Sequence, residues 1–282
     1  MKDDLAMSLL KDVMSNWDIN ELNNEITSIQ IISDLKYDDY QQYTHGMRYV
    51  ESLALWLRQF DESQREQAYR FIKNNLIFLS REEMYQLVEC SFDLIVKPYI
   101  IKRCRIIKKE YSLSKKEMAS LNQLCIRRSL FLGLSDGAHI DVFRRHNTFL
   151  SNEQVFIHYD FSNQKASDMR KNLFEDIRSI SLQDELKQPD FKDFFLIDDF
   201  SASGKSFIRK EESLWHGKIK RFYDRLTEAS YNLADCCIHL ILYAATKKAL
   251  SYIYSSAQEF FDNKIIFTVD ASNCKNNRES KN

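Results

Sequence analysis

The residue types best suited to chemistry lie between Phe194 and Ser206, in the stretch FFLIDDFSASGKS. Phe194, Phe195, Leu196 and Ile197 form a short apolar run that predicts a buried strand, and Asp198 and Asp199 stand at its C-terminal end. The spacing runs Asp198-Asp199-x-x-x-Ser203-Gly204-x-Ser206. Carboxylates placed there can accept hydrogen bonds from two vicinal ribose hydroxyls. The Ser/Gly turn that follows can aim backbone N–H groups and hydroxyls at a phosphate, at the start of the next helix. The chemistry indicated is recognition of a sugar phosphate.

Two other readings compete. Gly204-Lys205-Ser206 resembles the end of a nucleoside-triphosphate P-loop, but that motif needs a glycine at position 199, and the aspartate there would repel phosphate. Asp198 and Asp199 could also be strand-end helix caps, a task for which one acid suffices.

A second loop has similar character. The apolar run Ser129–Leu134 is followed by Ser135, Asp136, Gly137 and Ala138, then by a helix carrying Arg144 and Arg145. Of the 5 glycines in the chain, Gly133, Gly137 and Gly204 lie in or beside these two loops, where a glycine permits close approach to a ligand. An ordinary strand-to-helix turn would also account for Gly137. Arg144 and Arg145 are candidate cations for such a site, or solvated helix-face residues. His139 follows the loop, and His146, His158 and His239 have no metal-ligand partner at useful spacing.

The elements that must position these residues divide the chain in two. Over 1–125 the pattern is helical: Leu53, Trp56, Leu57 and Phe60 repeat at helical spacing, Asp61 breaks the run, and Phe71, Ile72, Asn75, Leu76 and Leu79 carry another amphipathic stretch. Ser80 with Glu83 and Ser114 with Glu117 read as capping boxes. Over 126–272 the period changes. Apolar runs at Leu130–Leu134, Gln154–Tyr159, Phe194–Asp199, Ile238–Ala244 and Lys264–Val269 alternate with helix candidates near 138–146, 166–182, 205–231 and 247–262. This alternation predicts an α/β domain, a Rossmann-like and mostly parallel sheet of about five strands with flanking helices. Ligands in such sheets sit at the carboxyl ends of strands, where the Asp-Asp motif falls. Residues 273–282 read as a polar tail.

Composition is that of an ordinary globular chain, with 44% hydrophobic and 29% charged residues and a formal net charge of −1. It gives no global reason to expect nucleic acid or an anionic membrane. No apolar run approaches the ~20 residues of a membrane span, and MKDDLAMSLLKD lacks the character of a signal peptide. Cys90, Cys104, Cys125, Cys236, Cys237 and Cys274 show no C-x-x-C spacing and read as reduced thiols of a cytoplasmic protein, with Cys236 and Cys237 in a core run.

The strand, the acids and the loop together resemble the signature of type I phosphoribosyltransferases, over about 127–270. That resemblance implies that Asp198 and Asp199 hold the ribose hydroxyls of phosphoribosyl pyrophosphate (PRPP). Ser201, Ala202, Ser203, Gly204, Lys205 and Ser206 would cradle its 5′-phosphate. Ser135, Asp136, Gly137 and Ala138 would meet the pyrophosphate, with Mg²⁺ carried by PRPP; Asp136 then needs the metal or must turn away. Members of the family carry a lid hairpin after the second core strand, whereas 161–185 reads here as loop and helix, with Lys165 and Arg170 as candidates to close over PRPP. The helical N-terminal region with WLRQF resembles, more loosely, phosphoribosyltransferase-like proteins of bacterial conflict systems, including those that accompany retron reverse transcriptases in anti-phage defence. The implied function is transfer of phosphoribose to a nitrogen acceptor, with loss of pyrophosphate at C1 through an oxocarbenium-like state. Two alternatives stay open: a PRPP- or nucleotide-sensing module without turnover, and a scaffold subunit of a defence complex containing a reverse transcriptase and its RNA.

Overall fold

The computed structural model describes residues 3–38, 48–108, 114–179, 190–231 and 236–272. The polar tail, Cys274 and the end of the 161–185 region lie outside the described residues. Among the described residues, no helix is long and apolar enough to cross a membrane. The chain divides into two compact units, Met1–Met84 and Tyr85–Asn282.

The first unit contains helices α1 (Asp3–Val13), α2 (Ile19–Ile32), α3 (Tyr49–Leu57) and α4 (Glu62–Asn75). Asp18 starts α2 by accepting the N–H groups of Asn20 and Glu21, both at 3.0 Å. Leu10, Trp17, Ile26, Leu53, Leu57 and Tyr69 share its core. The amphipathic reading through Phe71 and Leu76 meets a limit here, because α4 ends at Asn75 and both side chains are exposed.

α5 (Arg81–Ser91) opens on the capping box of Ser80 and Glu83, and leads through a π-helical turn into α6 (Lys97–Lys108). α7 (Lys115–Arg127) opens on the box of Ser114 and Glu117. The sheet follows, with β1 (Ser129–Gly133), α8 (Ile140–His146), β2 (Val155–Ile157), α9 (Asn163–Ser179) and β3 (Asp193–Ser201). A separate hairpin, β4 (Arg209–Glu211) and β5 (Leu214–His216), leads to α10 (Lys218–Glu228), β6 (Cys237–Ala245), α11 (Lys247–Phe261) and β7 (Ile266–Ala271). The 5-stranded sheet has the order β2-β1-β3-β6-β7, and every pair in it is parallel.

This order fixes which face each helix covers. The step from β1 to β2 moves one way across the sheet, and every later step moves the other way. Right-handed crossovers therefore place α8 on one face and α9, α10 and α11 on the opposite one. The packing agrees. Phe194 and Leu196 share a core with Leu173 of α9, Phe222 of α10 and Ile253 of α11. On the α8 face, Phe131, Phe195 and His239 lie side by side in register on β1, β3 and β6. Phe195 stacks on Phe131 at 5.1 Å and on His239 at 4.6 Å, and Phe143 of α8 covers Phe131 at 5.4 Å.

The reading of one long helix over 205–231 is corrected. Residues 205–207 turn, the β4–β5 hairpin intervenes, and the helix starts only at Lys218. Glu212 and Ser213 both have positive φ (47° and 71°), the pattern of a two-residue type I′ turn.

Phe195 is fully buried between two ring partners. Phe195→Ala is expected to cost about 3–5 kcal/mol, read as a lowered urea midpoint at unchanged slope; a cost below about 1 kcal/mol would contradict this packing.

Candidate functional site

The chain reverses its direction across the sheet between β1 and β3, and the carboxyl ends of such a strand pair are where parallel sheets form a binding crevice. Both loops singled out in the sequence leave from it. Ser135–Ala138 follows β1, with a 3₁₀ turn over Asp136–Ala138, and Asp198 and Asp199 lie near the C-terminal end of β3.

Successive strand residues point to opposite faces, and the two acids do so. Asp198 shares the face of Phe194 and Leu196 and has no solvent exposure. Its carboxylate accepts the Ser135 hydroxyl and the ammonium of Lys218, the first residue of α10, and also its neighbour's backbone N–H at 3.1 Å. Burial pushes the Asp198 carboxyl up, while Lys218 and Ser135 oppose that rise. Asp199 faces the other way and is half-buried. Its Oδ1 accepts the Phe200 N–H at 2.7 Å, and its Oδ2 lies hard against Gly137. A side-chain carbon at position 137 would overlap Asp199, so glycine is required there by contact with the acid. Tyr243, fully buried on β6, reaches across β3 and donates its hydroxyl to the Ala138 carbonyl at 2.7 Å. The β1 loop is thus held from both faces of the sheet.

The loop after β3 is equally fixed. Thr246, which caps α11, donates its N–H to the Ser201 carbonyl at 3.1 Å and its hydroxyl to the Ala202 carbonyl at 2.7 Å. Ser201 Oγ accepts the Gly204 N–H at 3.1 Å. Gly204 has φ +80° and packs on α11, where a Cβ would come within 2.8 Å of Ile253 and Tyr252. Ala202, Ser203, Lys205 and Ser206 are exposed. The N–H groups of Ala202, Ser203 and Ser206 have no partner among the described residues. The expectation that a helix N-terminus follows this loop is corrected. Lys218 and Ile219 instead bond back to the carbonyls of Ser206 and Phe207 at 3.1 and 3.0 Å, closing the hairpin beneath it.

Other candidate residues lie elsewhere. Arg144 donates to Asn152 at 2.8 Å and Arg145 approaches Asp141 at 3.7 Å. Lys165 sits 3.7 Å over the Phe156 ring. Arg170 pairs with Asp190 at 3.1 Å and bonds the Ala229 carbonyl, so both anchor α9. His139 has φ 43° at the junction into α8, and its ring meets Tyr85 edge-on at 5.6 Å.

The cations at the crevice come from α10, which the sequence reading did not single out. Lys218 holds Asp198, and Arg225 donates to the carbonyl of His158, the residue after β2. His158 is buried, with Nδ1 3.2 Å from the Gly133 carbonyl. Burial, helped by Arg225, Arg221 and Lys218, holds its pKa down at about 4.

Among the described residues, one group could hold a metal by type. Asp193, Cys237 and His239 bring ligand atoms within 4.8 Å of one another at the opposite, N-terminal ends of the strands. Sequence spacing missed this group because its members are joined only by strand pairing. The Arg103 guanidinium lies 3.8 Å from Asp193 and 3.7 Å from Cys237, and supplies the positive charge that a metal would bring.

Lys218→Met is expected to destabilise the fold by about 3–5 kcal/mol, because it leaves a buried carboxylate without its cation. Adding Asp198→Leu to it should recover most of the loss. Equal stability of the two variants in urea would contradict the pairing. His158 binds a proton in the unfolded chain below about pH 6.5 but not in the fold until about pH 4. Stability should therefore fall as pH drops between those values, and His158→Phe should flatten that slope.

Residues 53–282 match the family model PRTase-CE. No curated protein and no solved structure matches the chain.

Proposed function

Because the chain belongs to the PRTase-CE family, which is phosphoribosyltransferase-like, we propose that its β1–β3 crevice binds PRPP and transfers the phosphoribosyl group to a nitrogen acceptor. One observation carries this reading. The Asp198-Asp199 pair and the Ser135–Ala138 loop meet at the sheet's reversal point, through Ser135 on Asp198 and Gly137 on Asp199.

The geometry supports a division of labour. Asp198 is engaged by Ser135 and Lys218, so it anchors the crevice. Asp199 is half-exposed, with Oδ2 accepting no hydrogen bond among the described residues, and is the acid that takes the ribose hydroxyls. The exposed loop over 202–206 takes the 5′-phosphate on its unpartnered N–H groups. The Ser135–Ala138 loop takes the pyrophosphate. A Mg²⁺ arriving with PRPP requires oxygen ligands. Exposed Asp136 and half-buried Asp199 fit it, and it would add positive charge against the leaving group. Positioning and charge stabilisation of the departing pyrophosphate supply most of the catalysis.

A second reading, binding without turnover, is favoured by one feature. Among the described residues, β2 leads through a short turn into α9 and not into a lid hairpin. The β4–β5 hairpin is tied to the far end of α11, through Lys210 on Glu259 at 2.8 Å and Trp215 on Phe260 at 5.7 Å. Release of pyrophosphate from PRPP in the presence of candidate acceptors separates an enzyme from a sensor. We place either activity in the cytoplasm, in an anti-phage complex with a reverse transcriptase and its RNA; co-purification tests that setting.

In calorimetric titration, PRPP with Mg²⁺ should bind the wild type, and Asp199→Asn should weaken it roughly tenfold to a hundredfold, the worth of a charged hydrogen bond. Unchanged affinity would overturn the ribose assignment.

A further inference from the structure

We propose that the basic face of α10 is the diphosphate-binding surface of the crevice, and that Arg221 is the residue that contacts the diphosphate. The inference rests on the PRPP reading above and adds a recognition element to it.

Lys218 is anchored at the end of β3, through Asp198. Arg225 is anchored just past the end of β2, through the His158 carbonyl, with its guanidinium 5.9 Å over the Tyr159 ring. In the sheet, β1 lies between β2 and β3. The helix face between the two anchors therefore spans the mouth of β1, where Ser135–Ala138 departs. Arg221 stands three residues after Lys218 and four before Arg225, on that same face.

The three cations are not equivalent. Lys218 and Arg225 are half-buried and hold protein oxygens. Arg221 is exposed and has no ionic partner among the described residues. Lys220 and Asp224, also on α10, neutralise each other at 2.5 Å, so the excess positive charge is confined to the crevice face. That excess also contributes to keeping His158 neutral. A guanidinium fork matches paired phosphate oxygens, and an exposed one at the mouth of β1 is placed to meet a diphosphate lying on the β1 loop.

Titration of inorganic pyrophosphate, PRPP and ribose 5-phosphate into the wild type, Arg221→Ala and Arg221→Lys tests this. Arg221→Ala should lose about tenfold in affinity for pyrophosphate and PRPP, the worth of one charged contact. It should bind ribose 5-phosphate as the wild type does, and Arg221→Lys should recover part of the loss. Wild-type pyrophosphate affinity in Arg221→Ala, or an equal loss for ribose 5-phosphate, would overturn the inference while leaving the PRPP reading intact. Pyrophosphate binding that depends on Arg221, in a protein that does not bind PRPP, would keep the surface and sink the PRPP reading. A wild type that binds none of the three overturns both.

Discussion

Asp198 carries a carboxylate with no access to water, and a buried charge persists only if the fold surrounds it with partners. Those partners come from separate parts of the chain: the Ser135 hydroxyl from the loop after β1, the Lys218 ammonium from α10, and the N–H of Asp199. Satisfying this one group brings the β1 loop and the start of α10 to the end of β3. Strand alternation then turns the next residue, Asp199, to the opposite face, where it meets Gly137. Two neighbouring acids of the same type thus acquire different roles from the period of a strand. One is buried among its partners and the other is left half-exposed at the strand end.

The strands were legible because a strand buried on both faces reads as a continuous apolar run. Ser129–Gly133, Asp193–Ser201 and Cys237–Ala245 lie within a few residues of the runs that announced them. The two site loops were legible because a strand end, small residues and adjacent acids combine in few other ways. The β4–β5 hairpin was not. Its strands are three residues each, and its two-residue turn is Glu212-Ser213, without the Asn or Gly that usually marks positive φ. Gly217, with φ +120° just before α10, was the remaining local sign that a helix starts there and not at 205.

Of the two readings of Arg144 and Arg145, site cations or helix-face residues, their partners favour the second. Arg144 and Arg145 follow the β1 loop closely in sequence, so they looked available to it. α8 is short, however, and its last turn points them at Asn152 and Asp141. The cations that reach the crevice stand eighty residues or more after the β1 loop in sequence. What brings them there is tertiary bonding: Lys218 bonds Asp198 at the end of β3 and Arg225 bonds the His158 carbonyl just past β2, with β1 between those two strands. Spacing along a chain reports contacts within one element, whereas charge at a crevice is decided by which elements the sheet places side by side.

The same arrangement bears on how such a site would work. A mobile lid brings charge to a leaving group and excludes water in one movement. In this fold the two tasks separate. Lys218 and Arg225 are bound to protein oxygens before any ligand arrives, so the helix that carries Arg221 is already in place and its charge costs little reorganisation at the moment of reaction. The hairpin that could have served as a cover is fastened instead to the far end of α11. Fixed cations stabilise a departing diphosphate but do nothing to keep water from the cation left at C1. A crevice built this way favours transfer over hydrolysis only when the acceptor itself, or a partner that presents it, covers the ends of β1 and β3.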